Sequence, residues 1–536
     1  MRMPSHVLRA RDPRGDADDT AVKRAPDVIA AHLEDAAHFP GGRADGVARP
    51  RTEADVAALL QASTRVLPIG AQSSVTGGAT PAGGIVLSTA RMTSLRDAGP
   101  AHVRAGAGVA LDALQAQLSP RRLRYPPVPT FTGAFVGGVV ATNAAGAATF
   151  KYGTTRAWVD GLTVVLPCGH VLDLVRGEAR AAGRRVDIAC DHGVREVATG
   201  TYRLPDVPKC SAGYFAAPDM DPIDLFIGSE GTIGVIVDAT LRVVPAQAVA
   251  HALIPLASET DGLMLAAELR RASQATWVAR DPRGIDVAAI EHLDRRCLEM
   301  LREDGVDRAH SVTIPPDAAL LLLAQLDLPP ETTPAAAFDE IGSALDPSAP
   351  DTPLTRFCRT LDRYGVLGST ELALPGDARR AQQLSAVREG APVGVNRRVG
   401  DARRTIDARI DKTAADMIVP FDRFDGMMRL YREGYARRGL DYAIWGHISD
   451  GNVHPNVIPR SYADVVAGRE AILELGRDVV RMGGSPLAEH GVGRSTLKQA
   501  LLRQMYGDRA LDEMRAIKRA IDPEWKLADG VLFPKR

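Results

Sequence analysis

Five cysteines in 536 residues, at positions 168, 190, 210, 297 and 358, are scattered, odd in number and free of any CxxC pair. Their scarcity excludes a zinc ribbon or an iron–sulfur cluster built on paired cysteines and fits a reducing cytoplasm. Net charge is nearly absent too: 65 Lys and Arg stand against 66 Asp and Glu, so there is no field of the size that implies nucleic acid. The N-terminus mixes Arg with Asp and has no apolar core of the signal-peptide kind. The longest uncharged run, Tyr125 to Phe150, has the length to span a bilayer, but its prolines, glycines, threonines and Asn143 argue against a transmembrane segment. No Walker-type GxxxxGKS/T occurs. Gly106-Ala107-Gly108 opens like a dinucleotide fingerprint but carries Leu111 where the third glycine belongs. What remains is a soluble chain too long for one core, with two or three domains.

Residues 1–27 are charged with little apolar periodicity and read as a disordered or loosely attached tail. A regular α+β pattern starts at the strand Val47 to Arg49. Thr52 and Asp55 open a capping-box helix through Ala62, and Val66 to Ile69 is the next strand. After Ile69 comes an uncharged loop containing Gly70, Ala71, Gln72, Ser73, Ser74, Gly77 and Gly78. Glycines let backbone N–H groups turn inward and hydroxyls add donors, a combination suited to a pyrophosphate; an ordinary Gly/Ser surface loop is the alternative. Leu111 to Leu118 reads as a helix. Small residues then crowd a segment containing Pro127, Gly133, Gly137, Gly138, Thr142, Asn143, Tyr152 and Gly153. Such density admits something flat and large against the backbone, or else close helix–sheet packing. A strand from Asp224 is expected to run into the glycine turn holding Glu230, Gly231 and Ile233, with a further strand from Val235 to Val244. Within the Pro- and Ala-rich stretch 311–355, the apolar run Ala318 to Leu326 reads as a helix between loops.

The stretch WGHISDGNVHPNVIP, Trp445 to Pro459, reads as a hairpin turning at Asp450-Gly451. A two-residue turn there sets His447 opposite His454, about 5 Å apart at Cβ. Two imidazoles so placed make either a polar cross-strand pair or two ligands of one divalent metal. Glu489-His490, about forty residues on, offers a third ligand and a base.

The loop PIGAQSSVTGGA, the segment ATNAAGAATFKYGTTRAWVDGLTVVLP and the turn GSEGTIGVI resemble the FAD-binding domain of the vanillyl-alcohol oxidase / p-cresol methylhydroxylase superfamily. GHISDGNVHP, EHGVGR and IKRAIDPEWKLADGVLFP are similar to its D-2-hydroxy-acid dehydrogenase branch, that of D-lactate dehydrogenases and glycolate oxidase flavin subunits. The resemblance runs from about residue 40 to the end. It implies an α+β fold: a two-subdomain PCMH-type FAD-binding domain over 28–247, an α+β cap or substrate domain over 248–480, and a C-terminal segment, 481–536, returning to the FAD domain with the active-site Glu-His. Ala288 to Asp294 resembles a family helix.

The same resemblance implies FAD held by the three glycine segments, including Val235. A divalent metal, Zn or Mn, would sit at His447, His454 and Glu489. His490 would be the base, Arg388 and Lys412 would hold the substrate carboxylate, and Asn452 would stand beside them. Pro392 takes a place where hydroxyglutarate enzymes carry a hydroxyl residue. The loops 69–78 and 127–138 hold no His or Cys, so FAD is expected to bind noncovalently. The expected reaction is oxidation of a 2-hydroxy acid, with electrons passing to a cytochrome, quinone, electron-transfer protein or iron–sulfur partner subunit. A homodimer and a peripheral membrane location are both compatible with the branch. Two further classes remain open from the residues: a flavin-dependent synthase of the alkyl-dihydroxyacetone-phosphate type, and a flavin-free metal-dependent hydrolase.

Overall fold

The computed structural model describes residues 5–17, 21–191 and 193–534. The chain divides into two compact units, one built from residues up to 146, 153–245 and 485 onward, the other from 147–152 and 246–484.

The first unit carries two main sheets. One is a parallel sheet of three strands in the order Gly46–Ala48, Ile85–Ser88, Val66–Ile69. The helix Glu53–Ala62 begins in a capping box between Thr52 and Asp55. Its Val56, Leu59 and Leu60 join Val66 and Leu87 of this sheet in one core with Val165, Val171 and Val235 of the other. That second sheet is antiparallel, in the order Leu95–Asp97, His102–Gly106, Val235–Arg242, Val159–Val165, Val171–Val175. The helix Leu111–Leu118 forms where the sequence places it. The expected strand from Asp224 does not form: Ile223–Phe226 is a short helix.

The C-terminal segment completes this unit. Lys526 and Ala528 exchange backbone hydrogen bonds with Val66, at 2.8 and 2.9 Å, and Leu527 enters the core. Behind it, the buried ammonium of Lys518 donates to the carbonyls of Thr232 and Leu527 and to Asp522, at 2.7, 2.9 and 3.0 Å. One cation thus ties the glycine turn to the C-terminus.

Of the tail expected over 1–27, residues 1–4 and 18–20 lie outside the described residues, and the described stretch 5–17 is docked rather than loose. Val7–Arg9 pairs in parallel with Arg185–Cys190, and Arg11 forms ion pairs with Glu53 and Asp173. Low hydrophobicity hid this, because its order comes from backbone pairing and charge.

The second unit is one seven-stranded antiparallel sheet in the order Glu371–Ala373, Ala248–Leu256, Leu320–Leu328, Val287–Asp294, Tyr442–His447, Asn452–Val457, Met417–Ile418. The run around 318–326 is not a helix but a strand inside the sheet, Leu320–Leu328, and its unbroken apolar stretch from Leu320 to Ala324 fits a strand covered on both faces. Residues 287–294 are its strand neighbour, not a helix. The 28-residue helix Ala378–Thr405 packs Leu384, Val387 and Val395 into the core of this sheet. Residues 147–152 belong here as well, held by Lys151 to Asp286 and Asp327 at 2.6 and 2.8 Å.

Candidate active site

In the first unit the loop after Ile69 is shaped by Gln72 and Gly77, both at positive φ. The buried carboxylate of Asp35 fixes it, accepting the N–H of Gly77 at 2.7 Å and those of Ala37 and Phe39 at 3.2 Å. Burial pushes the Asp35 carboxyl up, and these N–H bonds oppose the rise. Ser74 Oγ accepts from the N–H groups of Thr76 and Gly78 at 3.2 Å. By contrast, the N–H groups of Ala71, Gln72, Ser73 and Ser74 make no hydrogen bond among the described residues.

That loop walls a cavity of about 360 Å3. The other walls come from the helix Val136–Ala141 with its flanks, from the turn at 230–236, and from Glu489 and His490. A Cβ added at Gly138 would meet nothing within 4 Å. Unsatisfied donors on one side and bare backbone on the other fit a flavin dinucleotide.

Of the residues expected to hold FAD, Ile69, Gly70, Ala71, Gln72, Ser73, Ser74, Gly78, Gly137, Gly138, Thr142, Glu230, Gly231 and Val235 line this cavity. Gly77, Pro127, Gly133, Asn143, Tyr152, Gly153 and Ile233 do not, and several have other work. A Cβ at Gly77 would strike the Phe39 ring at 2.7 Å. Asn143 Oδ1 accepts the Arg156 N–H at 2.9 Å. Tyr152 lies in the second unit, its hydroxyl on Asp327. Ile233 is buried core.

Glu230 also ties the cavity turn to the C-terminal segment. It sits at positive φ, and its carboxylate accepts the N–H groups of Val492 and Gly493, both at 2.8 Å. Burial pushes its carboxyl up to about 7, against those two bonds and the charge of Lys498. An ordinary Glu titrates at about 4.3, so the folded chain holds this proton more tightly than the unfolded one. Glu230's share of stability is therefore full at low pH and is lost as pH rises through 7, by about 4 kcal/mol at most. Thermal unfolding of wild type and Glu230→Gln between pH 5 and 8 checks this. The wild type is expected to lose ground to the variant as pH rises; a constant offset would place the titration outside that window.

Beside the cavity, Glu489 stands between two cations or potential cations. Its Oε2 accepts from Lys209 Nζ at 2.7 Å, and its Oε1 lies 3.5 Å from His490 Nε2. Lys209 is fully buried and Glu489 nearly so, whereas His490 is about one-third exposed, at 35%. The segment is held by Ser211, whose Oγ accepts the Gly491 N–H at 2.9 Å. Lys209, in VPKCS, carries no motif that sequence reasoning could have read.

The second unit holds the histidine hairpin, with a different register from the one expected. Ile448–Asp450 form a helical turn, Gly451 follows at φ 85°, and the pairs are His447 with Asn452 and Trp445 with His454. Ser449 explains the longer turn: its Oγ accepts the Ile290 N–H at 3.1 Å and its carbonyl accepts from Arg270 at 2.8 Å. A two-residue displacement keeps side chains on the same face. The two imidazoles are diagonal neighbours, with ring centroids 5.5 Å apart.

Each ring backs onto a carboxylate. His447 Nδ1 lies 3.0 Å from Glu291 and His454 Nδ1 lies 3.5 Å from Asp416. Carboxylates at that position fix a ring whose other nitrogen binds a metal, so this donor set fits one. Burial would raise Glu291, but Arg388 and His447 outweigh it and hold its carboxyl far below the usual range. Arg388, on the long helix and 7% exposed, faces Glu291 at 3.3 Å and Glu389 at 2.9 Å. Lys412 is exposed. Buried Asn452 donates to Asp416 and to the Met417 carbonyl, at 3.2 and 2.9 Å. His292 is wholly buried, and burial lowers its pKa to about 4.

Known proteins bear on both units. The family described as FAD binding domain matches residues 44–174, and that described as FAD linked oxidases, C-terminal domain, matches 258–532. Glycolate oxidase subunit GlcD of Bacillus subtilis is 25% identical, with 92% of this chain and 89% of the relative covered. D-2-hydroxyglutarate dehydrogenase of Xanthomonas citri pv. viticola is 27% identical, covering 91% and 89%. D-lactate dehydrogenase of Archaeoglobus fulgidus is 26% identical, covering 91% of each. Among solved structures, an alkyldihydroxyacetonephosphate synthase matches with a TM-score of 0.59 at 14% identity, over 96% of this chain and 82% of that one. That likeness speaks to the fold alone. No helix among the described residues is long and apolar enough to cross a membrane.

Proposed function

The chain belongs to the FAD-linked oxidases, and we propose that it oxidises a D-2-hydroxy acid of the D-lactate type to the 2-oxo acid. The observation that carries this reading is the pair Glu489 and His490 on the wall of the flavin-sized cavity, with the buried Lys209 behind Glu489. Bound noncovalently there, FAD supplies the acceptor for the hydride from carbon 2. His490 takes the hydroxyl proton. With Nε2 turned to Glu489, Nδ1 is the nitrogen that receives it, and the carboxylate steadies the imidazolium formed. Lys209 holds Glu489 in place through their 2.7 Å ion pair. Names of relatives that act on glycolate, D-lactate and D-2-hydroxyglutarate support the substrate class. Arg388 and Lys412 are the proposed carboxylate anchors. A cytochrome, quinone, electron-transfer protein or iron–sulfur partner subunit accepts the electrons.

The test is product identification. Purified protein with a dye acceptor should convert a D-2-hydroxy acid to the matching 2-oxo acid and release intact FAD on acid precipitation. Flavin that stays with the precipitate would overturn noncovalent binding. Absence of 2-oxo product across a panel of 2-hydroxy acids would overturn the reaction.

The proposal includes a divalent metal, Zn or Mn, on His447, His454 and Glu489. The carboxylates behind both imidazoles support the first two ligands. Its chemistry would be to lower the pKa of a bound hydroxyl. Elemental analysis of wild type against His447→Ala is expected to show a clear loss of metal in the variant. Equal contents would remove the site.

A further inference from the structure

Away from the flavin cavity, the first unit brings a second set of metal-binding side chains together. Cys168 and His170 flank Gly169 in the turn between Val159–Val165 and Val171–Val175. Gly169 stands at φ 89°, and Leu166 closes the turn through bonds to Gly169 and His170, both 2.8 Å. Cys190 ends the strand Arg185–Cys190. One ligand atom from each of Cys168, His170 and Cys190 lies within 4.8 Å of the other two. His170 is buried, and both cysteines are half-buried and free.

Two carboxylates complete the picture. Asp12 and Asp191 each place an oxygen 3.5 Å from His170 Nε2. Asp12 comes from the N-terminal segment, which is docked by paired backbone bonds between Arg11 and Val171, at 2.8 and 2.9 Å, and by Ala10 to Ala189 at 2.8 Å. Three stretches distant in sequence thus converge on one imidazole.

Two thiols and an imidazole make a soft, borderline donor set that selects zinc over magnesium or calcium. Tetrahedral bonds of about 2.0–2.3 Å put ligand atoms about 3.3–3.8 Å apart, so about 1 Å of closing motion suffices. We propose that Cys168, His170 and Cys190 bind a zinc ion, with Asp12 or Asp191 in the fourth position. Four protein ligands leave no open place for substrate, so the site is structural. It clamps the N-terminal segment to the turn at 166–170 and to the strand that ends at Cys190. This site is separate from the metal of the proposed reaction and shares no ligand with it.

The test uses the full-length protein purified without chelator. Alkylation of the folded wild type, read by mass spectrometry, should spare Cys168 and Cys190 until a zinc chelator is added, then modify both. Reconstitution with cobalt should give thiolate-to-metal charge-transfer absorption that persists in His447→Ala and vanishes in Cys168→Ser/Cys190→Ser. The double variant should also carry about one zinc fewer than wild type. Equal reactivity of both thiols with and without chelator would overturn the proposal. So would five cysteines reading as three free thiols after denaturation without reductant, which would make the pair a disulfide. The wild-type alkylation decides the matter even if the double variant folds poorly.

Discussion

Replacing His490 with Ala is expected to slow flavin reduction by a 2-hydroxy acid by about two to four decades while the protein keeps its FAD. The size follows from what the side chain does. Removing a hydroxyl proton at neutral pH needs a base of matched strength, and an ordinary imidazole titrates at about 6.5. His490 lines the flavin cavity, is about one-third exposed at 35%, and is turned by a carboxylate 3.5 Å away. The loop after Ile69, proposed to hold FAD, is untouched by the substitution, so flavin content should not move. Rapid mixing under anaerobic conditions, monitored at the flavin absorbance, measures the effect. Reduction at the wild-type rate would place the base on another residue. Loss of metal from the variant would exchange the roles of Glu489 and His490.

Lys209→Met is expected to destabilise the first unit by about 3–5 kcal/mol. Lys209 is wholly buried and Glu489 is 8% exposed, so the variant leaves a carboxylate in a low-dielectric place without its cation. Lys209→Met/Glu489→Gln removes both charges and should recover much of that loss, yet stay inactive because His490 loses its orienting carboxylate. Denaturant unfolding of the two singles and the double gives the coupling between them. A coupling below about 0.5 kcal/mol would mean that the pair is independent and that Glu489 is held by something else.

Much of the cavity's lining was legible because it is written in local chemistry. Glycines, hydroxyls and a strand before them mark the loop at 69–78, and in the structure that loop walls the cavity. The capping box at Thr52 and the helix Leu111–Leu118 were legible for the same reason: short-range rules decide them. Long-range pairing decided the rest. Leu320–Leu328 opens with five apolar residues in a row, a pattern that cannot tell a buried strand from a helix segment; its neighbours on both sides make it a strand. The histidine hairpin was placed on the right face with the wrong partner, because Ser449 bonds to another strand and lengthens the turn. Lys209, Glu291 and Asp416 were missed. Each is a single charged residue whose meaning lies in a partner at least 38 residues away along the chain, Lys209 with Glu489, Glu291 with His447 and Asp416 with His454. Arg388, read as a substrate anchor, has protein carboxylates at its guanidinium, which sequence spacing does not reveal.

The proposed reaction removes hydride and proton from a D-2-hydroxy acid. Anaerobic titration of the purified, yellow protein with the D and L forms of lactate and related 2-hydroxy acids tests it most directly, because the flavin spectrum reports the event itself without any acceptor. Bleaching is expected with at least one D acid, with its L form slower by a decade or more, and an almost unbleached spectrum for His490→Ala on the same timescale. A flavin spectrum that stays oxidised with every acid in the panel, or one bleached equally by wild type and His490→Ala, would contradict it.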